Sequence, residues 1–343
     1  MKMEKKSKTK KIILIVLAVL LIIILLLVST FAILFFKGKN KFHKNDTNIS
    51  VAQTDDIQVS DDEVYYKDKT YVLDTDVVSI LFMGIDKEKI DNNLGYGKNG
   101  QADVIFVAGI NTDDKSIKII PISRETMVDM DIYSSSGNFS NVKKQQLCLA
   151  YDYGNTPQES SKNVMQSVSR LLYGINISSY VTLDLNGVKV MSNAIGGVRV
   201  NSLESMDLPM GRINEGQEVL LKGENAVRYI RARGDDLEAN NRRMLRQKQF
   251  LSAFASTAGN QIMSNFTKLA SYYNMMSPYV CTNVSLSQVT YLAGECLTAN
   301  IGSAFEYKSL TGEMKMGEKW VEFEPDTDAL LETVIDVFYK EKK

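Results

Sequence analysis

Residues 78–122 read VSILFMGIDKEKIDNNLGYGKNGQADVIFVAGINTDDKSIKIIPI, and this stretch decides the fold. Three apolar runs rich in Val, Ile and Phe stand in it: 78–83, 103–109 and 116–122. Each has the length and composition of a β-strand. The turn signal Asn111-Thr-Asp-Asp114 separates the last two, and a polar, glycine-rich stretch from Gly84 to Gln101 separates the first two. Downstream, the spacing of apolar residues predicts helices over about 142–152 and 157–173, then a strand near 180–183 and a helix ending at Gly196-Gly197. Residues 224–233 and 239–258 also read as helices. The last third alternates helices (about 261–275, 285–298 and 327–340) with strands near 304–309 and 319–323. The pattern predicts an α/β domain with a central mixed β-sheet covered by helices.

Upstream, Ile12–Phe36 reads IILIVLAVLLIIILLLVSTFAILFF, 25 residues without a charge. At about 1.5 Å per residue it exceeds the ~30 Å hydrocarbon thickness of a bilayer. A helix of a soluble core would keep a polar face. A cleavable signal peptide would have an apolar core of about 7–15 residues followed by a small-x-small site. Neither describes this run, which reads as a transmembrane signal-anchor contacting the lipid bilayer through residues 12–36. Six Lys precede it and four follow before position 45, which favours a cytoplasmic N-terminus. The expected order is a cytoplasmic tail (1–11), the span (12–36), a polar linker or stalk (37–64) and one extracytoplasmic domain (65–343).

The 343 residues are 44% hydrophobic and 24% charged, too apolar for wholesale disorder. The net charge of −1 hides a division: residues 1–44 hold ten Lys and one Glu, or +9. The rest hold 30 Lys and Arg against 40 Asp and Glu, or −10. Histidine occurs once, at His43 in the stalk. The domain therefore has no Ser-His-Asp triad, Cys-His pair or His-rich zinc site. Its chemistry falls to carboxylates, Arg, Lys, Tyr, hydroxyls or backbone groups. The three cysteines, Cys148, Cys281 and Cys296, form no disulfide framework; Cys281 and Cys296 either bridge or stay reduced.

Of ten Arg, six lie between Arg228 and Arg246, in an otherwise acidic domain. Arg presents a planar fork to two phosphate oxygens and stays charged at any biological pH. On a helix over 239–258, Asn240, Arg243, Arg246 and Gln247 share one face, and Phe250 and Phe254 continue it. A cationic head with an apolar extension suits a pyrophosphate on a long lipid. The alternative is a solvated face whose arginines pair with Asp235, Asp236 or Glu238. Nucleic acid is disfavoured by the acidic domain and the expected side of the membrane. Asp86 follows the first strand and Asp103 begins the second, so neighbouring strands would bring two carboxylates together. That donor set suits Mg²⁺, which takes one or two carboxylates plus substrate phosphates. Arg124, just past the third strand, would add a cation at the same edge.

These residues resemble the LytR–CpsA–Psr family of bacterial envelope proteins over about 79–258. The likeness rests on Gly84-Ile-Asp86, Gln101-Ala-Asp103, Ser123-Arg-Glu-Thr126, Ala150-Tyr-Asp-Tyr-Gly154 and Gly196-Gly-Val198. Its most specific part is Gly223-Glu-Asn-Ala226, Tyr229-Ile-Arg-Ala-Arg233 and Arg243-Met-Leu-Arg-Gln247. The resemblance implies a phosphotransferase that moves an anionic glycan polymer from a polyprenyl-pyrophosphate carrier to a sugar hydroxyl of peptidoglycan. By motif position, Asp86 and Asp103 would hold Mg²⁺ or Mn²⁺. Arg124, Arg231, Arg233, Arg243 and Gln247 would grip the pyrophosphate, with Asp103, Arg124 and Arg243 carrying catalysis. The family also implies an apolar tunnel for the polyprenyl tail. Gln101 stands where the family usually has Arg, and Glu125, Asn193 and Asn240 where it commonly has Asp, which leaves the acceptor-activating base unassigned. A non-catalytic protein that binds lipid-linked glycan, or a pyrophosphatase using the same residues, is the alternative.

Overall fold

The strand β1 (Val77–Ile85) organises the molecule, with β2 (Ala102–Asn111) antiparallel on one side and β4 (Ser179–Leu183) parallel on the other. β3 (Ile117–Ile122) pairs antiparallel with β2. β5 (Val280–Thr282) and β6 (Phe305–Tyr307) add to the two ends, giving the order β5-β4-β1-β2-β3-β6. The sheet is mixed, as the sequence predicts. A parallel neighbour needs a crossover, and the segment between β2–β3 and β4 carries it through helix α1 (Pro157–Leu171). The computed structural model describes residues 29–42, 59–60, 63–91, 95–232, 234, 239–296 and 305–342.

Alternation along the strands decides the core. Leu81, Met83 and Ile85 of β1, Ile105 and Val107 of β2, and Ile120 and Ile122 of β3 point to one face. There they meet Val164 and Val168 of α1 and Leu330, Val334 and Val337 of the C-terminal helix α5 (Thr327–Phe338). Leu81, Val107 and Ile120 are wholly buried, each stabilising the fold by roughly 1.5–3 kcal/mol. On the other face the register partners Phe82 and Phe106 stack ring over ring at 4.9 Å and remain half-buried. A second core gathers Ile195, Val198, Leu221, Ala226 and Tyr229, and Val188 of helix α2 (Leu185–Ala194), Phe250 and Phe254 pack against it.

Several expectations are corrected. Residues 142–152 do not form a helix. Met127–Tyr133 and Phe139–Gln146 form an antiparallel hairpin, followed by a 3₁₀ segment over Leu147–Tyr153. Lys143, Lys144, Gln145 and Gln146 favour helix intrinsically, but cross-strand pairing with Met127–Tyr133 overrides that preference. The helix expected over 239–258 runs on to Ser264, and the one expected from 261 begins at Thr267. The folded part also starts before Tyr65: Val59–Ser60 and Glu63–Tyr66 pair in a small sheet, closed by Lys69–Leu73 and the C-terminal strand Tyr339–Glu341.

The chain divides into two compact units. The larger comprises Asp46–Val284 with Glu295–Lys343 and contains every element described so far. The smaller joins Met1–Asn45 to Ser285–Gly294. Within it, a helix over 29–42 runs through the expected boundary between span and stalk at 36–37. Phe35 meets Tyr291 edge-on at 5.0 Å. Gly38 lies so close to the Ser287 carbonyl that a Cβ would sit 2.1 Å from its oxygen, so no larger residue fits. Positions 12–28 of the expected span, like the tail 1–11, lie outside the described residues. Among those described, no helix is long and apolar enough to cross a membrane. Cys148, Cys281 and Cys296 are all free thiols, so the reduced alternative holds.

Candidate active site

The edge of the sheet where β1 ends and β2 begins collects the charged residues. Asp86 follows the last residue of β1, Asp103 is the second residue of β2, and Arg124 stands two residues past β3. The register shifts between Gly84 and Ile85, and the Asp86 amide donates to the Gln101 carbonyl at 3.3 Å. The intervening loop is pinned from below. Asp152 accepts from the amides of Asn99 (2.6 Å) and Gly100 (3.1 Å), while Gly95, Gly97 and Gly100 take φ values of +79°, +78° and +88°. Those left-handed positions cost glycine little and other residues more.

Arg124 is the hub. Its guanidinium donates to the Asp103 carboxylate and the Gln101 side-chain oxygen, and lies 3.5 Å from the Cys148 sulfur. Burial alone would lower its pKa, but the adjoining Cys148, Asp103 and Glu125 outweigh that and keep it firmly charged. Burial raises the pKa of Asp103; Arg124 and Arg243 oppose the shift and Asp86 adds to it. Two carboxylates thus repel at one edge, a situation that a divalent cation relieves. Oxygen donors of this kind fit Mg²⁺ or Mn²⁺, with substrate and water completing the shell. Among the described residues no group of three or more His, Cys, Asp or Glu converges, so Asp86 and Asp103 would fill only part of such a shell.

Helix α4 (Ala239–Ser264) brings Asn240 and Arg243 to this edge. Arg243 Nη1 lies 3.9 Å from Asp103 Oδ2, and Arg243 Nη2 donates to Asn240 Oδ1 at 2.6 Å. Asn240 in turn donates to Glu125 at 2.7 Å, which also accepts from Ser123 at 2.8 Å. Arg231, at the end of helix α3 (Glu224–Arg231), reaches Asp86 at 2.6 Å, both side chains being open to solvent. Asp86, Asp103, Arg124, Arg231 and Arg243 therefore come together at one edge. Arg233 lies outside the described residues.

Arg246 and Gln247 do something else. Arg246 Nε donates to the Tyr229 carbonyl at 2.9 Å, and its other nitrogens reach the Ala232 carbonyl and the Glu204 carboxylate. Gln247 Nε2 donates to the Ile230 carbonyl at 3.2 Å. Together they satisfy carbonyls at the C-terminal end of α3 that have no partner within their own helix. Burial pulls the pKa of Arg246 down to about 10, so it remains protonated near neutrality. Gln247, expected on the phosphates, is engaged in fixing α3. Phe250 and Phe254 continue the stripe as predicted, their rings 6.5 Å apart. Sequence reasoning missed Cys148 and the Ser123–Glu125–Asn240 link. The three-residue spacing of Asn240 and Arg243 was the available signal, since it places both on one side of a helix.

The profile of the LytR_cpsA_psr family matches residues 33–335. The polyisoprenyl-teichoic acid–peptidoglycan teichoic acid transferase TagU of Enterococcus faecalis is 26% identical over 245 residues, covering 70% of this chain and 69% of that protein. The corresponding TagV of Bacillus subtilis is 28% identical over 219 residues, 61% of this chain. The aligned part spans 50% of the length of TagV. The crystal structure of B. subtilis TagV superposes with a TM-score of 0.62 at 26% identity, over 77% of this chain and 97% of that one. The α/β domain, with its mixed central sheet and covering helices, is the architecture of that structure. From residue 33 to residue 335 the match takes in most of the sequence, and the chain belongs to the LytR–CpsA–Psr family.

Proposed function

We propose that this protein is a membrane-anchored phosphotransferase that moves an anionic glycan polymer from a polyprenyl-pyrophosphate carrier to a sugar hydroxyl of peptidoglycan. The observation that carries the reading is the convergence of Arg124, Arg243 and Arg231 with Asp86 and Asp103 at one sheet edge. Phosphoryl transfer asks the protein mainly for positioning and charge neutralisation, which arginines supply without histidine. The acceptor oxygen forms a bond to the phosphorus nearest the glycan. The bond from that phosphorus to the bridging oxygen breaks, and the polyprenyl phosphate leaves with the electron pair. The acceptor proton passes to a carboxylate or to solvent. Arg124 and Arg243 face the negative charge on the transferring and leaving oxygens; Arg231, on the open side, screens the incoming pyrophosphate. Asp86 and Asp103 would hold a Mg²⁺ or Mn²⁺ ion, which would supply further charge neutralisation. The apolar run 12–36 would anchor the enzyme with the catalytic domain outside the cell membrane.

The test uses the full chain in detergent with a lipid-linked teichoic acid precursor and peptidoglycan fragments. Covalent attachment of polymer to the fragments is expected. Free polymer alone would make water the acceptor and the protein a pyrophosphatase, whereas binding without turnover would reduce it to a glycan-binding protein. For the metal, Asp86→Asn is expected to raise the Mg²⁺ concentration giving half-maximal rate by about tenfold or more. Chelator should abolish the wild-type rate and added Mg²⁺ restore it. An unchanged Mg²⁺ requirement in Asp86→Asn would remove Asp86 from the metal site.

A further inference from the structure

We infer that Asn240 is a positioning residue whose amide couples the buried Glu125 carboxylate to Arg243 and fixes that guanidinium before substrate arrives. The inference rests on the pyrophosphate reading above. Glu125, Asn240 and Arg243 are 4%, 4% and 5% exposed, so water does not mediate among them. The amide has two unlike ends, and each meets its complement. Nδ2 donates to Glu125 Oε2 at 2.7 Å and to Ser123 Oγ at 3.2 Å, while Oδ1 accepts from Arg243 Nη2 at 2.6 Å. The reversed amide would set an oxygen against a carboxylate and an NH₂ against a guanidinium, so only one orientation is compatible with both neighbours.

Charge makes the same point. Arg124 and Arg243 stand against Asp103 and Glu125, with Arg124 Nε 3.7 Å from Glu125 Oε1. Among the described residues, two cations thus face two carboxylates. An aspartate at 240 would have no proton to give Glu125 and would set a further carboxylate against it, beside a site that receives an anion. Asparagine transmits the orientation of Glu125 to Arg243 without transmitting charge. Glu125 and Asn240 thus act as one unit, a carboxylate plus an amide, and the unit should work with its members exchanged.

The experiment measures binding of geranylgeranyl pyrophosphate to the full chain in detergent by calorimetry, beside turnover and thermal unfolding. Asn240→Asp is expected to weaken binding by about tenfold or more, because a like charge now faces Glu125 and the ligand. The exchange Glu125→Gln with Asn240→Asp keeps one carboxylate and one amide and should return binding to within about threefold of wild type. Glu125→Gln alone removes a negative charge. It should leave binding equal or tighter while lowering kcat, a split that simple loss of folding would not produce. Asn240→Asp binding as wild type does, an exchange variant no better than Asn240→Asp, or Glu125→Gln losing affinity in parallel with it would each overturn the assignment. Failure of wild type to bind the probe overturns the pyrophosphate reading instead, so the two failures are distinct.

Discussion

Arg124→Ala is expected to lower the rate of polymer transfer by about a hundred- to a thousandfold, the range seen when a preorganised donor to developing negative charge is removed. Asp103, Gln101 and Cys148 all lie against its guanidinium. Removing it takes a cation from the phosphates and also frees Asp103 from its main counter-charge. Burial already pushes the pKa of Asp103 up, and losing Arg124 pushes it further in the same direction. Asp103 would then hold its proton to higher pH and bind metal less readily, so the variant's activity should shift toward alkaline pH as well as fall. Arg124→Lys keeps a charge but loses the fork that spans Asp103 and Gln101, and should recover only part of the rate. Single-turnover transfer measured across pH checks all three statements. A loss below tenfold in Arg124→Ala would show that another group carries the transferring phosphate.

Arg246→Ala should act on stability rather than chemistry, although Arg246 stands three residues from Arg243 in the same helix. Its side chain is 2% exposed and tied to Tyr229, Ala232 and Glu204. Truncation leaves two carbonyls without their donor and takes from Glu204 its nearer cation, leaving Arg242 3.6 Å away. Glu204 retains some contact with water, so a loss of about 3 kcal/mol is expected, toward the lower end for a broken buried pair. In a domain of this size that lowers the melting temperature by roughly 6–12 °C. Adding Glu204→Ala should return part of the loss, because the carboxylate that lost its nearer cation is then gone as well. Thermal unfolding of the single and double variants decides it; a melting temperature within a degree of wild type would show that Arg246 is not holding α3. Arg243→Ala should show the converse, a small stability change and a large loss of transfer.

How much of this was legible beforehand depends on the range of the forces involved. β1, β2 and β3 were legible because each is a short apolar run whose burial follows from composition. The placement of Asp86, Asp103 and Arg124 followed, since residues at the ends of neighbouring strands must share an edge. The hairpin over Met127–Tyr133 and Phe139–Gln146 was not legible. Its second strand is largely exposed, so no alternation of apolar residues announces it, and its Lys and Gln residues speak locally for helix. The face of α4 was read correctly as a stripe, but a stripe does not say which neighbour each residue meets. Asn240 and Arg243 reach Glu125 and Asp103, more than 100 positions earlier in the chain, while Arg246 and Gln247 reach the end of α3.

The sequence by itself determined the kinds of chemistry open to this protein. A domain whose only histidine lies before it, with six of ten arginines in nineteen positions and aspartates at two strand ends, is committed to carboxylate and guanidinium chemistry. Residue type sets charge, hydrogen-bonding capacity and pKa range, and these need no fold to be known. The tertiary structure decided which of those arginines face the site and which face the protein. That division arises where α3, α4 and the sheet edge meet, through contacts between segments far apart in sequence. It separates Arg243, placed beside Asp103, from Arg246, which holds the end of a helix, though the chain spells them one turn apart.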